Sequence, residues 1–422
     1  MPTFLHAADL HLDSPLRGLE RKEGAPSERI RNASREAMGR MIKAAIERKV
    51  SFVLLAGDIY DTEPGFETYV FFRKRMEELE EAGIPVAIVL GNHDHAGASP
   101  YREHLPGNVH VFEASEPGSH EIIPGVWIHG QSYLVRDIQA DLSANYPLAR
   151  PGALNIGLLH TALDGHSGEH ARYAPSSTGR LAHHGYDYWA LGHVHARTVL
   201  REGRCHIVYP GNLQGRHARE TGPKGAMFVE YDRDAILTVE HQAFDDVRWY
   251  RIEVDAAGLD QDADLLPQVA MRVLAETEES RSAGRLAAVR IRLYGTAPAT
   301  LVDLGDDEIR DSLRAGLASR DNLFLEKIEL DLRLMAQDVR EVDRHLTSLV
   351  GRLANSPEAE QALTKAWKDL CSGLREVGGP ELEAAFKTWR GTEPPSKRVG
   401  EELAAALPRV RAALLSSGKG GR

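Results

Sequence analysis

The sequence predicts an α/β fold: an αββα core of two sheets packed face to face between outer helices, then a small α+β domain and a helical C-terminal region. Three observations carry this. Buried-type apolar runs alternate with helical patterns through the first half of the chain, a rhythm that builds a parallel or mixed sheet with helices outside. Those runs are too many for one open sheet, so two stacked sheets fit better. At 422 residues the chain also exceeds one ordinary core.

The elements follow in order. TFLHAAD (3–9) reads as a strand. SREAMGRMIKAAIERK (34–49) has helical periodicity, with Ser34 placed to cap it. VSFVLLAGD (50–58) is a buried-type strand, FETYVFFRKRMEELEEAG (66–83) a helix ending at glycine, and IPVAIVLGN (84–92) another buried strand. Further apolar runs stand at 126–130, 154–160, 186–193, 205–211 and 226–232. After 236–244 the character changes. Strand-like runs at 249–255, 286–295 and 324–334 alternate with helical stretches near 262–282 and 305–319. Beyond about residue 336 the pattern is helical, with Leu346, Leu349 and Leu353 on one amphipathic face. The expected divisions are 1–245, 246–335 and 336–422.

Composition narrows the class. Hydrophobic content of 42% and charged content of 27% suit a globular chain. No apolar run has the length of a membrane span, and MPTFLHAADLH lacks the basic start of a signal peptide. The expectation is a cytoplasmic protein. Cys205 and Cys371 stand far apart and suggest neither a disulfide framework nor a zinc knuckle. The net charge is −11, so binding to nucleic acid needs local positive charge from metals, a basic groove or a partner. Of 19 histidines, 17 precede residue 220, which points to a histidine-using site in the N-terminal half.

Polar residues gather at the ends of the buried runs, where α/β folds bind ligands. The first ends with Asp9 and His11, the second with Asp58, the third with Asn92, His93 and Asp94. Later runs end with His160 and with His193 and His195. In extended chain, residues two apart point the same way, so His193 and His195 can face one site. Gly57, Gly91 and Gly192 allow sharp turns and close approach beside them. Each motif alone has a duller reading as turn, cap or core histidine. Together, and in this order, they point to metal chemistry.

The series DxH, GDxxD, GNHD, H and GHxH resembles that of the calcineurin-like metallophosphoesterases over about residues 1–230. GDIYD (57–61), HLDSPLRGL (11–19) and YPGNLQGRHARETGPKG (209–225) are similar to the DNA-repair exonuclease branch, SbcD-like and nearest the YhaO-like bacterial enzymes. The resemblance implies two divalent ions, manganese first, with iron(II) or magnesium as alternatives. It places Asp9, His11 and His195 on one ion, Asn92, His160 and His193 on the other, and Asp58 between them. It gives His93 to the scissile phosphate and the leaving oxygen. The implied activity is DNA exonuclease hydrolysis, beside an ABC-type coiled-coil ATPase bound through the C-terminal segment, with a homodimer also in view. A phosphodiesterase of small diesters such as cyclic nucleotides would use the same metals, and a non-catalytic scaffold would have lost ligands.

Mixed nitrogen and oxygen ligands suit manganese or iron, and a histidine beside them can act as general acid near neutral pH. Asp94 is a candidate orienter of the site or a turn residue. Arg216 and Arg219 are candidate phosphate contacts or surface charge. Tyr60 is read as packing and His95 as facing solvent. Archaeal and eukaryotic nucleases of this branch carry histidine three residues after the bridging aspartate. Here Asp61 stands there, outside the expected ligand set.

Overall fold

The computed structural model describes residues 1–334 except 15, 17–25, 97–103, 164–172, 234, 260–263, 298–300, 302–305 and 319, together with positions 361 and 365. The C-terminal region expected to be helical, positions 361 and 365 apart, and Cys371 therefore lie outside the described residues. The chain divides into two compact units. One holds Met1–Ile252, Val269–Arg292 and Arg314–Glu329, and the other holds Glu253–Gln268, Leu293–Leu313 and Leu330–Arg422.

Two six-stranded sheets form the core of the first unit. The strands are β1 (Thr3–Ala7), β2 (Val53–Ala56), β3 (Val86–Val89), β4 (Val109–Val111), β5 (Gly118–Ile123), β6 (Val126–Gly130), β7 (Leu154–His160), β8 (Tyr188–Gly192), β9 (Thr198–Glu202), β10 (Cys205–Tyr209), β11 (Gly225–Asp232) and β12 (Ala235–Ala243). One sheet has the order β12-β11-β1-β2-β3-β4, the other β5-β6-β7-β8-β10-β9. The pairs β1–β2, β2–β3 and β3–β4 are parallel. So are β6–β7, β7–β8 and β8–β10.

Side-chain alternation builds the layers. Leu5 and Ala7 of β1, with Val53 and Leu55 of β2, pack against Ala37, Met41 and Phe72. Those three lie on helices α1 (Ser27–Glu47) and α2 (Phe66–Glu81). The intervening residues Phe4, Leu54 and Ala56 turn the other way and meet Ile128, Ile156 and Tyr188 of the second sheet. The second sheet's outer face, with Leu159, Trp189 and Ile207, packs with Leu181 of α3 (Thr178–His183). Because both faces of these strands are covered, β2, β3, β7 and β8 are buried at every position. This is the αββα arrangement expected.

Three details depart from the sequence reading. Helix α1 begins at Ser27, with Pro26 before it and no side-chain cap. Ser34 lies inside the helix, where its Oγ accepts the Asp13 N–H at 3.0 Å. Strands β4, β5 and β9 had not been expected. Tyr60 is buried and packs edge-on against Phe72, ring centres 5.7 Å apart, as expected.

Beyond the core run β13 (Val247–Asp255), α4 (Leu265–Ser282), β14 (Leu286–Ala297), α5 (Asp306–Leu317) and β15 (Leu323–Leu334), with the sheet order β13-β14-β15. Within the first unit, Arg29 of α1 donates to Asp246, to Asn322 Oδ1 at 2.7 Å and to Gly284 O at 2.5 Å.

Candidate metal centre

The loops after β1, β2, β3, β7 and β8 converge, and they carry the expected residues. His11 Nε2 lies 3.1 Å from His195 Nε2 and 3.7 Å from Asp58 Oδ2. Asp9 Oδ1 is 3.9 Å from His195 Nε2. On the other side, His160 Nε2 is 3.0 Å from Asn92 Oδ1 and 3.5 Å from Asp58 Oδ2. The His193 ring meets that of His160 edge-on at 5.2 Å. The seven candidate ligands thus form one connected cluster, in which Asp58 reaches both halves.

The backbone is bent hard to achieve this. Asp9, His11, Asp58 and His193 have φ of 51°, 42°, 51° and 102°, a region side-chain-bearing residues rarely enter. Local bonds hold them there. The His193 N–H donates to both Asp9 oxygens at 3.1 and 3.0 Å. His93 N–H donates to Asp58 Oδ1 at 2.9 Å. Gly192 lies where a Cβ would stand 1.8 Å from the Ala56 carbonyl oxygen and 2.9 Å from His160 Nδ1. Only glycine lets β8 approach β2 so closely.

Burial makes the cluster electrostatically expensive without cations. Asp9 is held well above the usual carboxylate range, first by loss of solvent and then by the neighbouring Asp58 charge. Asp58 is raised for the same first reason. His11 is pushed well down by burial, with Arg216 and His195 adding to the effect. Two carboxylates that resist ionising beside an imidazole that resists protonation are the groups divalent cations stabilise. Three compact sets, Asp9–His11–His195, Asp9–Asp58–His160 and His11–Asp61–His93, each have ligand atoms within 4.8 Å of one another. The donors are nitrogen and oxygen with no thiolate. The residues therefore fit two divalent ions.

His93 differs from the seven. Its side chain is 24% exposed, against 9% or less for His11, Asp58, His160 and His195. Its Nδ1 bonds the Asp61 carbonyl at 2.7 Å, which leaves Nε2 for an incoming group. Asp94 does not touch the imidazoles. It accepts the N–H groups of Gly91 and Ile59 at 2.7 and 2.6 Å and so pins the two loops that carry Asn92 and Asp58 together. Burial, and after it the Asp58 charge, pushes its pKa up to about 7.

Two residues had not been assigned to the site. Asp61 sits at its centre of contacts: Oδ1 lies 3.2 Å from His11 Nδ1 and 2.9 Å from Arg216 Nη1. Arg216, a candidate phosphate contact or surface charge, is paired with Asp61. Glu220 holds His195 Nδ1 at 2.6 Å through Oε1. Its Oε2 accepts Asn212 Nδ2 at 2.9 Å and Arg216 N–H at 2.6 Å. Glu220 lies in the loop RHARETG, of which only the arginines stand out in the sequence.

Comparison with known proteins agrees with this geometry. A family described as calcineurin-like phosphoesterase matches residues 2–197. A second, described as metallophosphoesterase YhaO, middle domain, matches 249–333. Over 355 residues the chain is 34% identical to the Bacillus subtilis strain 168 protein described as uncharacterized metallophosphoesterase YhaO, covering 82% of this chain and 84% of that one. Two archaeal proteins named DNA double-strand break repair protein Mre11 are more distant. The Haloferax volcanii protein is 23% identical over 61% of this chain and 56% of its own. The Aeropyrum pernix protein is 26% identical over 67% and 70%.

Proposed function

The chain belongs to the calcineurin-like phosphoesterases, and on that premise we propose that it is a metal-dependent DNA exonuclease. Family membership makes it a phosphoester hydrolase with a dimetal site. The observation that carries the proposal further is the buried cluster of Asp9, His11, Asp58, Asn92, His160, His193 and His195 with His93 at its exposed rim. The likeness to repair proteins named Mre11 supports DNA as the substrate.

Asp9, His11 and His195 would hold one ion, Asn92, His160 and His193 the other, and Asp58 would touch both. Two such ions neutralise a phosphodiester and lower the pKa of water beside it. Manganese suits the donor set best. The protein's own groups do the rest. The Asp61 carbonyl fixes the proton on His93 Nδ1, and His93 Nε2–H, when the ring is charged, gives its proton to the departing oxygen. Glu220 keeps the His195 ring turned inward, and Asp94 holds the Asp58 and Asn92 loops in register.

The partner proposed is an ABC-type ATPase with coiled coils, recruited through residues 336–422. Homodimerisation is part of the same reading. No helix among the described residues is long and apolar enough to cross a membrane.

The test is degradation of end-labelled linear duplex DNA with manganese, alongside bis-p-nitrophenyl phosphate. Cleavage of both, lost with EDTA and in Asp58→Ala, supports the proposal. Cleavage of the small diester alone, even with the ATPase present, would favour a small-molecule phosphodiesterase.

A further inference from the structure

A cleft of about 520 Å³ opens at His195, one of the candidate metal ligands. Its walls include His195, Arg197, His217, Arg219, Glu220 and Lys224. That is the volume of a small-ligand site. Its charge runs against that of the molecule: the chain carries −11 overall, yet this wall sets two arginines and a lysine, the lysine's pKa lowered by burial, against one carboxylate. The carboxylate is also engaged, with Glu220 turned to His195, Asn212 and the Arg216 N–H. Lys224 is buried and donates to the His195 carbonyl at 2.9 Å. Arg197 and Arg219 stand exposed at the mouth. The positive field is felt by His241 on β12, whose pKa falls to about 4, mainly by burial and further by Arg197, Arg248 and Lys224.

We infer that this cleft takes the sugar-phosphate backbone flanking the scissile phosphate, with Arg197 and Arg219 as its phosphate contacts. The inference rests on the nuclease reading and adds to it the path of the strand. An arginine fork matches phosphate geometry, and cations lining a cleft that shares His195 with the metal cluster can hold the phosphates next to the scissile one. Bis-p-nitrophenyl phosphate carries no flanking phosphate, so it can occupy the metals and leave the cleft empty.

The experiment compares full-chain, manganese-loaded wild type with Arg197→Ala/Arg219→Ala. Binding of a short fluorescein-labelled phosphorothioate strand is followed by anisotropy over a salt series, and bis-p-nitrophenyl phosphate turnover is measured in parallel. Each phosphate contact contributes about 0.7 to the slope of log K against log salt on a single strand, so the double variant should lose about 1.4. Diester turnover should be unchanged, and Arg197→Lys/Arg219→Lys should restore most of the slope. An unchanged slope overturns the inference. So does an equal fall in diester turnover, because the arginines would then be supporting the metal site. The nuclease reading fails separately, if wild type hydrolyses the diester but no DNA; the binding slope still judges the cleft in that case.

Discussion

Glu220→Gln is the sharpest probe of how the metal site is held. The carboxylate accepts on both oxygens: Oε1 from His195 Nδ1 at 2.6 Å, Oε2 from Asn212 Nδ2 at 2.9 Å and Arg216 N–H at 2.6 Å. A glutamine has one accepting oxygen. Turned one way, its NH2 faces two donors; turned the other way, it faces the imidazole N–H. Either orientation leaves at least one buried donor unpaired, at about 1–3 kcal/mol, and removes the negative charge beside His195. Loss of such a carboxylate partner typically weakens metal binding 10–100-fold, or about 1.4–2.7 kcal/mol. Manganese titration by calorimetry should therefore show one site weakened by this factor and the other, built on Asn92, His160 and His193, little changed. Wild-type affinity at both sites would refute the argument. Equal weakening of both sites would show that Glu220 supports the loop as a whole rather than His195.

Four further outcomes follow from the same geometry. Gly192→Ala places a Cβ 1.8 Å from the Ala56 carbonyl and should lower stability by ~1–3 kcal/mol. By contrast Gly39→Ala, in open space on α1, should raise it by ~1 kcal/mol; urea midpoints check both. His93→Ala should keep both manganese ions, seen by calorimetry, while losing turnover; near wild-type activity would remove His93 from proton transfer. His6, fully buried against Tyr188, has its pKa lowered to about 3 by burial. The unfolded histidine takes up its proton near 6.5 and the folded one only near 3. The stabilisation is therefore complete above 6.5 and is lost as pH falls towards 3. Nitrogen NMR of the His6 ring should show no titration between pH 5 and 8; a midpoint in that window contradicts the burial argument.

What could be read from sequence depended on how a residue signals its environment. Strands covered on both faces, such as VLLA (53–56) and LNIGLLH (154–160), stand out as unbroken apolar runs. The three unread strands all lie at sheet edges: β4 closes one sheet, and β5 and β9 close the other. None is fully covered: β4 is half-buried throughout, β5 has Ile122 as its one buried residue, and β9 has none. The candidate metal ligands were legible because each sits where a buried run stops. Glu220 lies 25 residues beyond His195 in a charged loop, and nothing local distinguishes it from its neighbours. Asp61 was visible as an oddity but its contacts with His11 and Arg216 are made only by the fold. Ser34 misled because a capping residue type in a helix interior looks the same as one at its start.

The left-handed backbone at Asp9, His11, Asp58 and His193 has a consequence for how such a chain changes over generations. Each such residue costs on the order of 1–3 kcal/mol, and buried like charges at Asp9 and Asp58 add to it. Bound cations offset these terms by favouring the folded state in proportion to their occupancy. The ion-free protein bears them in full. A lineage under selection for hydrolysis keeps this tension, while one released from it gains thermal robustness by exchanging these residues for relaxed ones. The most demanding part of the molecule is therefore also the part neutral drift would dismantle first, with the sheets behind it left intact.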